Sequence, residues 1–452
     1  MPKVYIHTYG CQMNVRDSEA VSALLMRSGY TLADNENEAD VVIVNTCSVR
    51  KKAEDKALGK LGMLAADNKK NEKKRIIGVM GCMVQRFKNT IFEKTPGLDF
   101  AVGTHRFSSI PKVLELVLDG RGRVLDIGEN EECFDDLSGH VNSGKVSAFV
   151  NILFGCSRRC SYCIVPEVRG KEWSRQGMDI VNEIKELVSN GIKEVTLLGQ
   201  SVMAYGNRDK VWHDNYVSSL GFSEPLPRLL EAVSEIDGLE RIRFTSGHPA
   251  GCTPELVRAM AELPEVCEHL HMPFQSGSDR ILKLMRRGYT ADSFQQAVTR
   301  LRASVSDIAI TTDVIVGFPS ETAEDFDITR EFIKKIKFDN AFIFKYSPRP
   351  GTPAADWNDD IDSDEKMRRN KALLFEQNQR GSAINKNLIG KAVEVLVEGI
   401  SKRNPARWSG RTRGNKITVF EPASNITVGN LVNIRVERVT AQTLYGKLVN
   451  IQ

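Results

Sequence analysis

The first 120 residues alternate short apolar stretches with polar, helix-like stretches, and this alternation limits the fold more than any other feature of the chain. The apolar stretches are continuous, which is typical of strands buried on both faces. Strands that alternate with helices predict a parallel sheet covered on both sides, so we expect an α/β domain over residues 1–120. The predicted strands are KVYIHTY (3–9), ADVVIVNT (39–46) and RIIGVMG (75–81), and the predicted helices are 17–29 and 50–66.

One cysteine follows the end of each predicted strand in this domain. Cys11, Cys47 and Cys82 are separated by 36 and 35 residues, which is about one strand–helix unit each time. The carboxyl ends of neighbouring parallel strands meet at one edge of a sheet, where α/β folds bind ligands. We therefore expect three cysteines that are distant in sequence to meet in one patch.

A second and longer strand–helix series begins near residue 147, after a polar, glycine-rich stretch (121–145) that is predicted to be a linker. Six strand–helix units predict a barrel or partial barrel over residues 146–382, with chemistry at the loops that follow the strands. The predicted strands are 148–154, 194–198, 240–245, 268–272, 308–316 and 340–346, and the predicted helices are 178–190, 225–236, 253–263, 291–304 and 322–336.

The last region, residues 383–452, has a different composition. Short β-branched segments separated by Gly, Asn and Pro predict a small all-β barrel of about five strands. Eleven Lys/Arg against four acids give this region a charge of +7, although the whole chain carries only +4. A small basic module predicts a polyanionic partner, and the alternative is a solvated basic surface. A tryptophan among the basic residues of SKRNPARWSGRTRGNK (401–416) favours nucleic acid.

Three cysteines stand within eight positions of FGCSRRCSYC (154–163), in the pattern C-x3-C-x2-C. Zinc sites usually add a second ligand pair, yet the next forty residues contain neither His nor Cys. A four-iron cluster held by three thiolates leaves one iron free to bind a substrate. The spacing, a preceding strand and Tyr162 beside the last cysteine favour a cluster over a structural zinc or a surface redox pair.

This loop resembles the radical S-adenosylmethionine (SAM) superfamily. The resemblance implies that Cys156, Cys160 and Cys163 hold a [4Fe-4S] cluster that binds SAM, with Tyr162 beside the adenine. It also implies a role for Gln200, which GQSVMAYG (199–206) shares with the usual GQNVNAYG. Three further SAM contacts are expected at predicted strand ends, with structural hydrogen bonding or a tight turn as the alternative. They are Ser246, Gln275 and Gly317.

Segments outside the loop narrow the resemblance to the methylthiotransferases of this superfamily. TYGCQMNVRDSE (8–19), NTCSVRKKAEDK (45–56) and GCMVQRF (81–87) are similar to their N-terminal domain, and the tail is similar to a TRAM domain. The resemblance implies that Cys11, Cys47 and Cys82 hold a second [4Fe-4S] cluster, the sulfur source. YGCQMN and four later motifs resemble the MiaB type. Those motifs are RIRFTSGHP (241–249), HMPFQSGSDRILKLMRRGYT (271–290), TDVIVGFPSET (312–322) and YSPRPGTPA (346–354).

The implied reaction adds a methylthio group to C2 of N6-dimethylallyladenosine at position 37 of tRNA, with one SAM as methyl donor and a second as radical source. No side-chain base removes an aromatic C–H proton near neutral pH, whereas a carbon radical can attack that position. The anticodon stem-loop already presents unpaired bases. Implied partners are this tRNA element and an electron donor such as flavodoxin or ferredoxin. Candidate RNA contacts are Arg403, Arg407, Trp408, Arg411 and Arg413.

Two classes of alternative remain at this stage. The same chemistry on threonylcarbamoyl-adenosine tRNA or a ribosomal protein is one, and a non-catalytic metal-binding RNA-binding protein is the other. Arg169 and Arg175 flank the cysteine loop and are candidates for phosphate or the SAM carboxylate, with a solvated surface role as the alternative. The chain starts without a signal-like apolar region and its apolar runs are too short to span a bilayer, so we expect a cytoplasmic monomer without membrane contact.

Overall fold

The computed structural model describes residues 1–71, 74–128, 139–141, 144–212, 216–245, 247–424 and 426–449. The chain divides into two compact units. One unit contains Met1–Ser143, Leu153–Arg159 and Cys163–Arg175, and the other contains Gly144–Ile152, Cys160–Tyr162 and Gln176–Gln452. No helix among the described residues combines the length and apolarity that crossing a bilayer requires.

A six-stranded parallel sheet forms the body of the first unit. Helices cover both faces, so the central strand, VVIVNT, is buried along its whole length. The strand order is β2-β1-β3-β4-β5-β6. The strands are β1 (Lys3–Tyr9), β2 (Thr31–Leu32), β3 (Val41–Thr46), β4 (Ile76–Gly81), β5 (Phe100–Val102) and β6 (Val124–Asp126), and the helices are α1 (Gln12–Arg27), α2 (Lys51–Lys70), α3 (Cys82–Phe87), α4 (Ile91–Lys94) and α5 (Ile110–Leu118).

Several details of this unit differ from the sequence-based expectation, among them the short strands β2 and β5, which were not predicted. Strand β6 pairs with β5 and lies inside the predicted linker, because a three-residue strand is too short to show a periodic pattern. The described part of that segment also contacts α1, where Arg16 donates to the Gly139 carbonyl at 2.9 Å. Helix α1 begins at Gln12, directly after a cysteine, instead of at the acidic residue Asp17.

The cysteine loop follows the first barrel strand, β7 (Ser147–Asn151). It contains β8 (Leu153–Phe154), helix α6 (Val165–Arg169) and β9 (Trp173–Ser174), and the two short strands pair antiparallel. Gly155 has φ +68°, and a Cβ there would lie 2.0 Å from the Lys171 carbonyl oxygen. A residue with a side chain would therefore force the loop open just before its first cysteine.

The second unit contains the predicted partial barrel. Sheets β11-β10-β7 and β12-β13-β14 are joined by a parallel bridge between Ile242 and Val266, so six parallel strands follow one another in chain order. Every predicted barrel strand is confirmed, with bounds that differ by at most three residues. The strands after β7 are β10 (Glu194–Leu198), β11 (Arg241–Phe244), β12 (His269–His271), β13 (Ala309–Val316) and β14 (Asn340–Lys345), and the helices are α7 (Gly177–Ser189), α8 (Pro225–Ser234), α9 (Pro254–Glu262), α10 (Asp279–Leu284), α11 (Ala291–Ser304) and α12 (Ala323–Ile336).

A long helix, α13 (Ser363–Lys386), leads to a closed five-stranded barrel of order β15-β16-β17-β19-β18. The basic stretch of the tail itself supplies strand β16. Arg241 of the partial barrel donates to the carboxylate of Glu394 at 2.7 Å, and Lys416 lies 2.9 Å from Asp339, so the small barrel is docked by a buried arginine and a partly buried ion pair. The strands are β15 (Ala392–Ser401), β16 (Asn404–Thr412), β17 (Ile417–Phe420), β18 (Leu431–Val439) and β19 (Thr443–Leu448).

Candidate active site

The three cysteines of the first unit lie at the carboxyl edge of neighbouring strands. Cys11 follows β1 and caps α1, Cys47 follows β3, and Cys82 is the first residue of α3 after β4. The three thiols are close enough to shift one another's pKa: Cys11 and Cys47 affect each other, and Cys82 interacts electrostatically with both. Regular parallel pairing thus gathers three residues that are separated by 36 and 35 positions in the chain.

Two asparagines and a glycine hold Cys11 at this edge. The Asn14 side-chain oxygen accepts hydrogen bonds from the Cys11 amide at 3.1 Å and from its thiol at 3.5 Å. The Asn14 amide group donates to Asn45 and to the Thr46 carbonyl, both at 3.1 Å, and so ties the helix start to the end of β3. A Cβ on Gly10 would lie 2.0 Å from the Asn14 oxygen, which explains the glycine in YGCQMN.

The pKa values of these thiols show the electrostatic effect of crowding. A hydrogen bond from Cys47 lowers the pKa of Cys11, while the same bond and burial raise the pKa of Cys47. Burial also raises the pKa of Cys82, although Arg169 opposes that effect. Without added positive charge, only Cys11 ionises readily. A donor set of three crowded sulfurs therefore fits a cationic metal cluster that stabilises all three as thiolates.

Arg169 of helix α6 contacts this same edge. Its Nε donates to Cys82 Sγ at 3.2 Å, and its Nη2 donates to Asp17 at 2.5 Å. Both Arg169 and Asp17 are buried, at 6% and 4% exposure. Ile164 and Val168 pack against Cys82. The segment directly after the last loop cysteine therefore covers the three-cysteine edge, and Arg169, a candidate for phosphate, the SAM carboxylate or a solvated surface, is buried and pairs with a carboxylate and a thiol.

The loop cysteines are placed by separate contacts. Cys156 and Cys163 belong to the first unit, where the Cys156 amide donates to the Gly170 carbonyl at 3.1 Å. Cys160 belongs to the second unit, where Arg287 Nη1 donates to its Sγ at 3.2 Å. Tyr162 lies edge-on to Phe318, with ring centroids 6.4 Å apart, and its hydroxyl is 3.4 Å from the Arg287 guanidinium.

Two glutamines predicted to contact SAM have acceptors without partners. The side-chain oxygens of Gln200 and Gln275 are buried and have no hydrogen-bond donor among the described residues. Gln275 has φ +75° and is fixed by backbone bonds to Asp313 and Ile315. A buried unpartnered acceptor is costly, so both glutamines fit a bound molecule that carries donor groups, as SAM does.

Of the two other predicted SAM contacts, Gly317 and Ser246, the structure describes only Gly317. Gly317 has φ +69°, and a Cβ there would lie 2.3 Å from Lys366 Cγ. Its amide donates to Glu321 at 2.7 Å, which supports the tight-turn alternative for this glycine. Ser246 lies outside the described residues.

In the part of the chain that the structure describes, no three or more His, Cys, Asp or Glu side chains are arranged around a single metal ion. Each thiolate of a cluster binds its own iron, so a cluster does not require such convergence on one point. Of the three remaining cysteines, Cys252 and Cys267 are buried thiols, and Cys133 lies outside the described residues.

The predicted RNA-binding residues separate into two groups. Arg403 is exposed, and Arg407 is half-buried beside Glu421 at 3.1 Å. Trp408 packs against the core of the small barrel, and Arg411 lies 3.1 Å from Glu398. Arg413 binds Glu268 at 2.8 Å and donates to two backbone carbonyls of the partial barrel. Its guanidinium therefore joins two domains, a role that its sequence context did not indicate.

Comparisons with known proteins agree with this domain order. Family models described as "Uncharacterized protein family UPF0004", "Radical SAM superfamily" and "TRAM domain" match residues 3–103, 150–333 and 386–449. A solved radical SAM methyltransferase, TsrM from Kitasatospora setae, aligns with a TM-score of 0.59 at 14% identity, over 78% of this chain and 77% of that one. At this identity the likeness concerns the fold alone.

Curated relatives are similar along nearly the whole chain. Proteins named tRNA-2-methylthio-N(6)-dimethylallyladenosine synthase from Akkermansia muciniphila and Opitutus terrae are 44% and 43% identical, each over 99% of this chain and 98% of the relative. A protein of that name from Acetivibrio thermocellus is 43% identical over 99% of this chain and 91% of its own length.

The three-cysteine loop on a six-stranded partial barrel, preceded by a cysteine-edged sheet and followed by a TRAM barrel, defines an enzyme of the radical SAM methylthiotransferase class. The similarity to the curated relatives makes the family specific. The chain belongs to the family of tRNA-2-methylthio-N(6)-dimethylallyladenosine synthases.

Proposed function

We propose that this protein adds a methylthio group to C2 of N6-dimethylallyladenosine at position 37 of tRNA, with one SAM as methyl donor and a second as radical source. One observation carries the proposal. The segment after the last loop cysteine packs on the three-cysteine edge through Ile164, Val168 and the Arg169–Cys82 hydrogen bond. Cys163 is therefore joined to the three-cysteine edge by the segment Ile164–Arg169 of the same unit, which favours sulfur insertion beside a radical.

Six cysteines carry the proposed cofactors. Cys156, Cys160 and Cys163 would hold a [4Fe-4S] cluster that binds SAM, and Cys11, Cys47 and Cys82 would hold a second one. These groups would supply the electron that cleaves SAM and the sulfur that is transferred. Gln200 and Gln275 would accept hydrogen bonds from SAM through their buried oxygens, which keeps its reactive carbon in one position.

The decisive experiment is nucleoside analysis of total tRNA from a strain that lacks the gene. We expect the 2-methylthio nucleoside to disappear, its dimethylallyladenosine precursor to accumulate, and a plasmid copy to restore the product. A copy with Cys160→Ala serves as the matched control and should not restore it. An unchanged nucleoside profile in the deletion strain would refute the function.

The alternatives give different results in the same strain. Loss of the methylthio group from threonylcarbamoyl-adenosine, or from a ribosomal protein, would transfer the proposal to that substrate. A non-catalytic metal-binding protein predicts zinc without acid-labile sulfide in the purified protein. Two [4Fe-4S] clusters instead predict iron and sulfide in equal amounts, and Cys82→Ala should remove about half of each.

Arg403 and Arg407 are the proposed contacts to the tRNA backbone, because Arg403 is exposed in the turn before β16, Arg407 lies on β16, and neither takes part in the Arg413 docking contact. Replacing both with Ala should weaken tRNA binding and lower the dependence of log Kd on log salt by about 0.7–0.9 for each phosphate that is no longer neutralised. Arg368→Ala, on the exposed face of α13, is the control. An unchanged salt slope in the double variant would exclude these two arginines.

The proposal includes three further predictions about the cellular setting. A small electron-transfer protein such as flavodoxin or ferredoxin should reduce the loop cluster. The enzyme should act as a monomer, and it should act in the cytoplasm, where its tRNA is found. Reduction kinetics, sedimentation and cell fractionation test these three points separately.

A further inference from the structure

A buried arginine beside the loop cysteine lacks, among the described residues, the negative partner that a buried charge normally has. Arg287 is 7% exposed, and its Nη1 donates to Cys160 Sγ at 3.2 Å. Its other partners are the hydroxyls of Tyr162 and Tyr289 and the carbonyl of Pro273, at 3.3–3.4 Å. All of these oxygens are neutral in their ordinary protonation states.

No carboxylate lies within ion-pair distance of Arg287 in the ranges that the structure describes. Removing a cation from water without a counter-charge costs several kcal/mol, so buried charges are almost always paired. The cation–π interaction with the Tyr289 ring, whose centroid is 5.4 Å from the guanidinium carbon, offsets only part of that cost. The site therefore has an excess positive charge that is directed at a cysteine sulfur.

A purely structural role does not require this charge. Carbonyl and hydroxyl acceptors are satisfied equally well by neutral donors, and Tyr289 already binds the Phe274 carbonyl at 2.5 Å. A positive charge at a sulfur is useful where that sulfur and its ligand are anionic. Net charge and hydrogen bonds to sulfur are two of the factors that set the reduction potential of an iron–sulfur cluster.

We propose that Arg287 is a positioning residue for the SAM-binding cluster: its N–H holds Cys160, and its charge favours the more negative, reduced form of the cluster. This inference rests on the proposed function, because it assumes that Cys156, Cys160 and Cys163 hold that cluster. It assigns a role to the LMRRGYT segment (284–290) that is separate from the cysteine ligands and from the glutamines beside SAM.

The test measures the reduction potential of the loop cluster in enzyme with and without Arg287. Cys82→Ala enzyme is used as the background, so that the loop cluster gives the only signal, and the titration is followed by electron paramagnetic resonance. We expect Arg287→Met to lower the equilibrium constant for reduction at least tenfold, a shift of about 59 mV to more negative potential for one electron. Arg287→Lys keeps the charge and should recover most of this shift.

The neighbouring residue provides a matched control. Arg286 is exposed and its side chain makes no hydrogen bond or ion pair among the described residues, so Arg286→Met removes the same charge one position away. It should leave the potential unchanged, because exposed charges are screened by water and salt. An equal shift in both variants would indicate a general charge effect and would overturn the specific role of Arg287.

The remaining outcomes also decide the question. If Arg287→Met fails to bind iron while Arg287→Lys binds it normally, the charge is needed to assemble the cluster, which supports the proposal. Failure of both variants to bind iron, an unchanged potential, or a weaker Kd for SAM without a potential shift would overturn it. If the unsubstituted enzyme takes up no cluster at the loop, the proposed function fails instead, so the two failures are distinguishable.

Discussion

Each of the two cysteine sites contains a hydrogen bond from an arginine to a cysteine sulfur, but the net charge beside that bond differs between the two sites. In each, a buried arginine donates to a cysteine sulfur at 3.2 Å: Arg169 to Cys82 and Arg287 to Cys160. Arg169 also binds the Asp17 carboxylate, whereas the described partners of Arg287 beside the sulfur are all neutral oxygens. The first pair adds no net charge to its site, and the second adds one positive charge.

This difference indicates what each arginine contributes. A neutral, fully buried pair is stable before any ligand binds, so Arg169 and Asp17 can hold helix α6 on the sheet edge in the empty protein. An unpaired buried cation is stabilised only when an anion arrives. We therefore expect the sheet-edge arginine to act mainly on structure and the loop arginine mainly on the cluster's electronic properties.

The largest expected effect separates the two sites by their products. Cys160→Ala should abolish both 5′-deoxyadenosine formation and methylthiolation, because the loop cysteines are proposed to hold the cluster that cleaves SAM. Cys82→Ala should retain 5′-deoxyadenosine formation and reduce methylthiolation to below detection. Both products are measured by liquid chromatography and mass spectrometry in one reaction. Methylthiolation by the Cys82 variant would show that the two sites do not have separate tasks.

The next effect concerns stability at the sheet edge. Asp17→Asn leaves the Arg169 charge buried without a carboxylate, which should cost about 3–5 kcal/mol of the free energy of unfolding of the first unit. Glu376→Gln removes the carboxylate from the more exposed Arg330–Glu376 pair and should cost about 0–1 kcal/mol. Denaturant titrations of the cluster-free protein measure both. Equal costs would contradict the view that Asp17 has a structural role.

A smaller effect tests the charge comparison directly. Asp17→Asn combined with Arg169→Met removes a neutral pair, so it should change the reduction equilibrium of the proposed sheet-edge cluster by less than the tenfold expected for Arg287→Met. The double substitution removes the hydrogen bond to Cys82 without a change in net charge. The same spectroscopic titration, in a Cys160→Ala background, gives the value. A larger shift than that of Arg287→Met would reverse the comparison.

The smallest effect concerns thiol reactivity after the metal has been removed. Cys11 has a lowered pKa, because Cys47 donates to it and Arg169 stabilises its thiolate, whereas burial raises the pKa of Cys252 to about 11. The thiolate is the reactive form, so iodoacetamide should modify Cys11 well before Cys252 at neutral pH, and more slowly as the pH falls. Arg169→Met should slow modification of Cys11 by about tenfold at most, one pKa unit. Peptide mapping follows both residues, and faster modification in the variant would contradict this order.

Most of the fold could be predicted from local patterns. The longer barrel strands, such as β10 and β13, are rich in apolar and β-branched residues between amphipathic helices, and runs of five residues or more are visible in the sequence. Strands β2, β5 and β6 contain only two or three residues, so their existence depends on a neighbouring strand that offers hydrogen bonds. Strand β16 was not predicted, because its arginines indicated a binding surface more strongly than a strand.

The residues of the candidate site could likewise be predicted from the sequence only in part. The cysteines were visible in the sequence because their spacing repeats the length of a strand–helix unit or forms a compact loop motif. Asp17, Arg287 and the docking role of Arg413 carry no such signal. A buried ion pair depends on which helix packs on which sheet edge, and neighbouring residues such as Arg286 and Arg287 look alike in sequence but are exposed and buried in the fold.

The amino-acid sequence by itself determined the three-part α/β and all-β organisation, the six cysteines and the family resemblance, because periodicity and ligand spacing are properties of the chain. Only the tertiary structure decided which arginine meets a carboxylate and which meets a sulfur alone. The free energy of a buried charge depends on the groups within a few ångströms of it in space, and these come from segments more than one hundred positions apart in the chain.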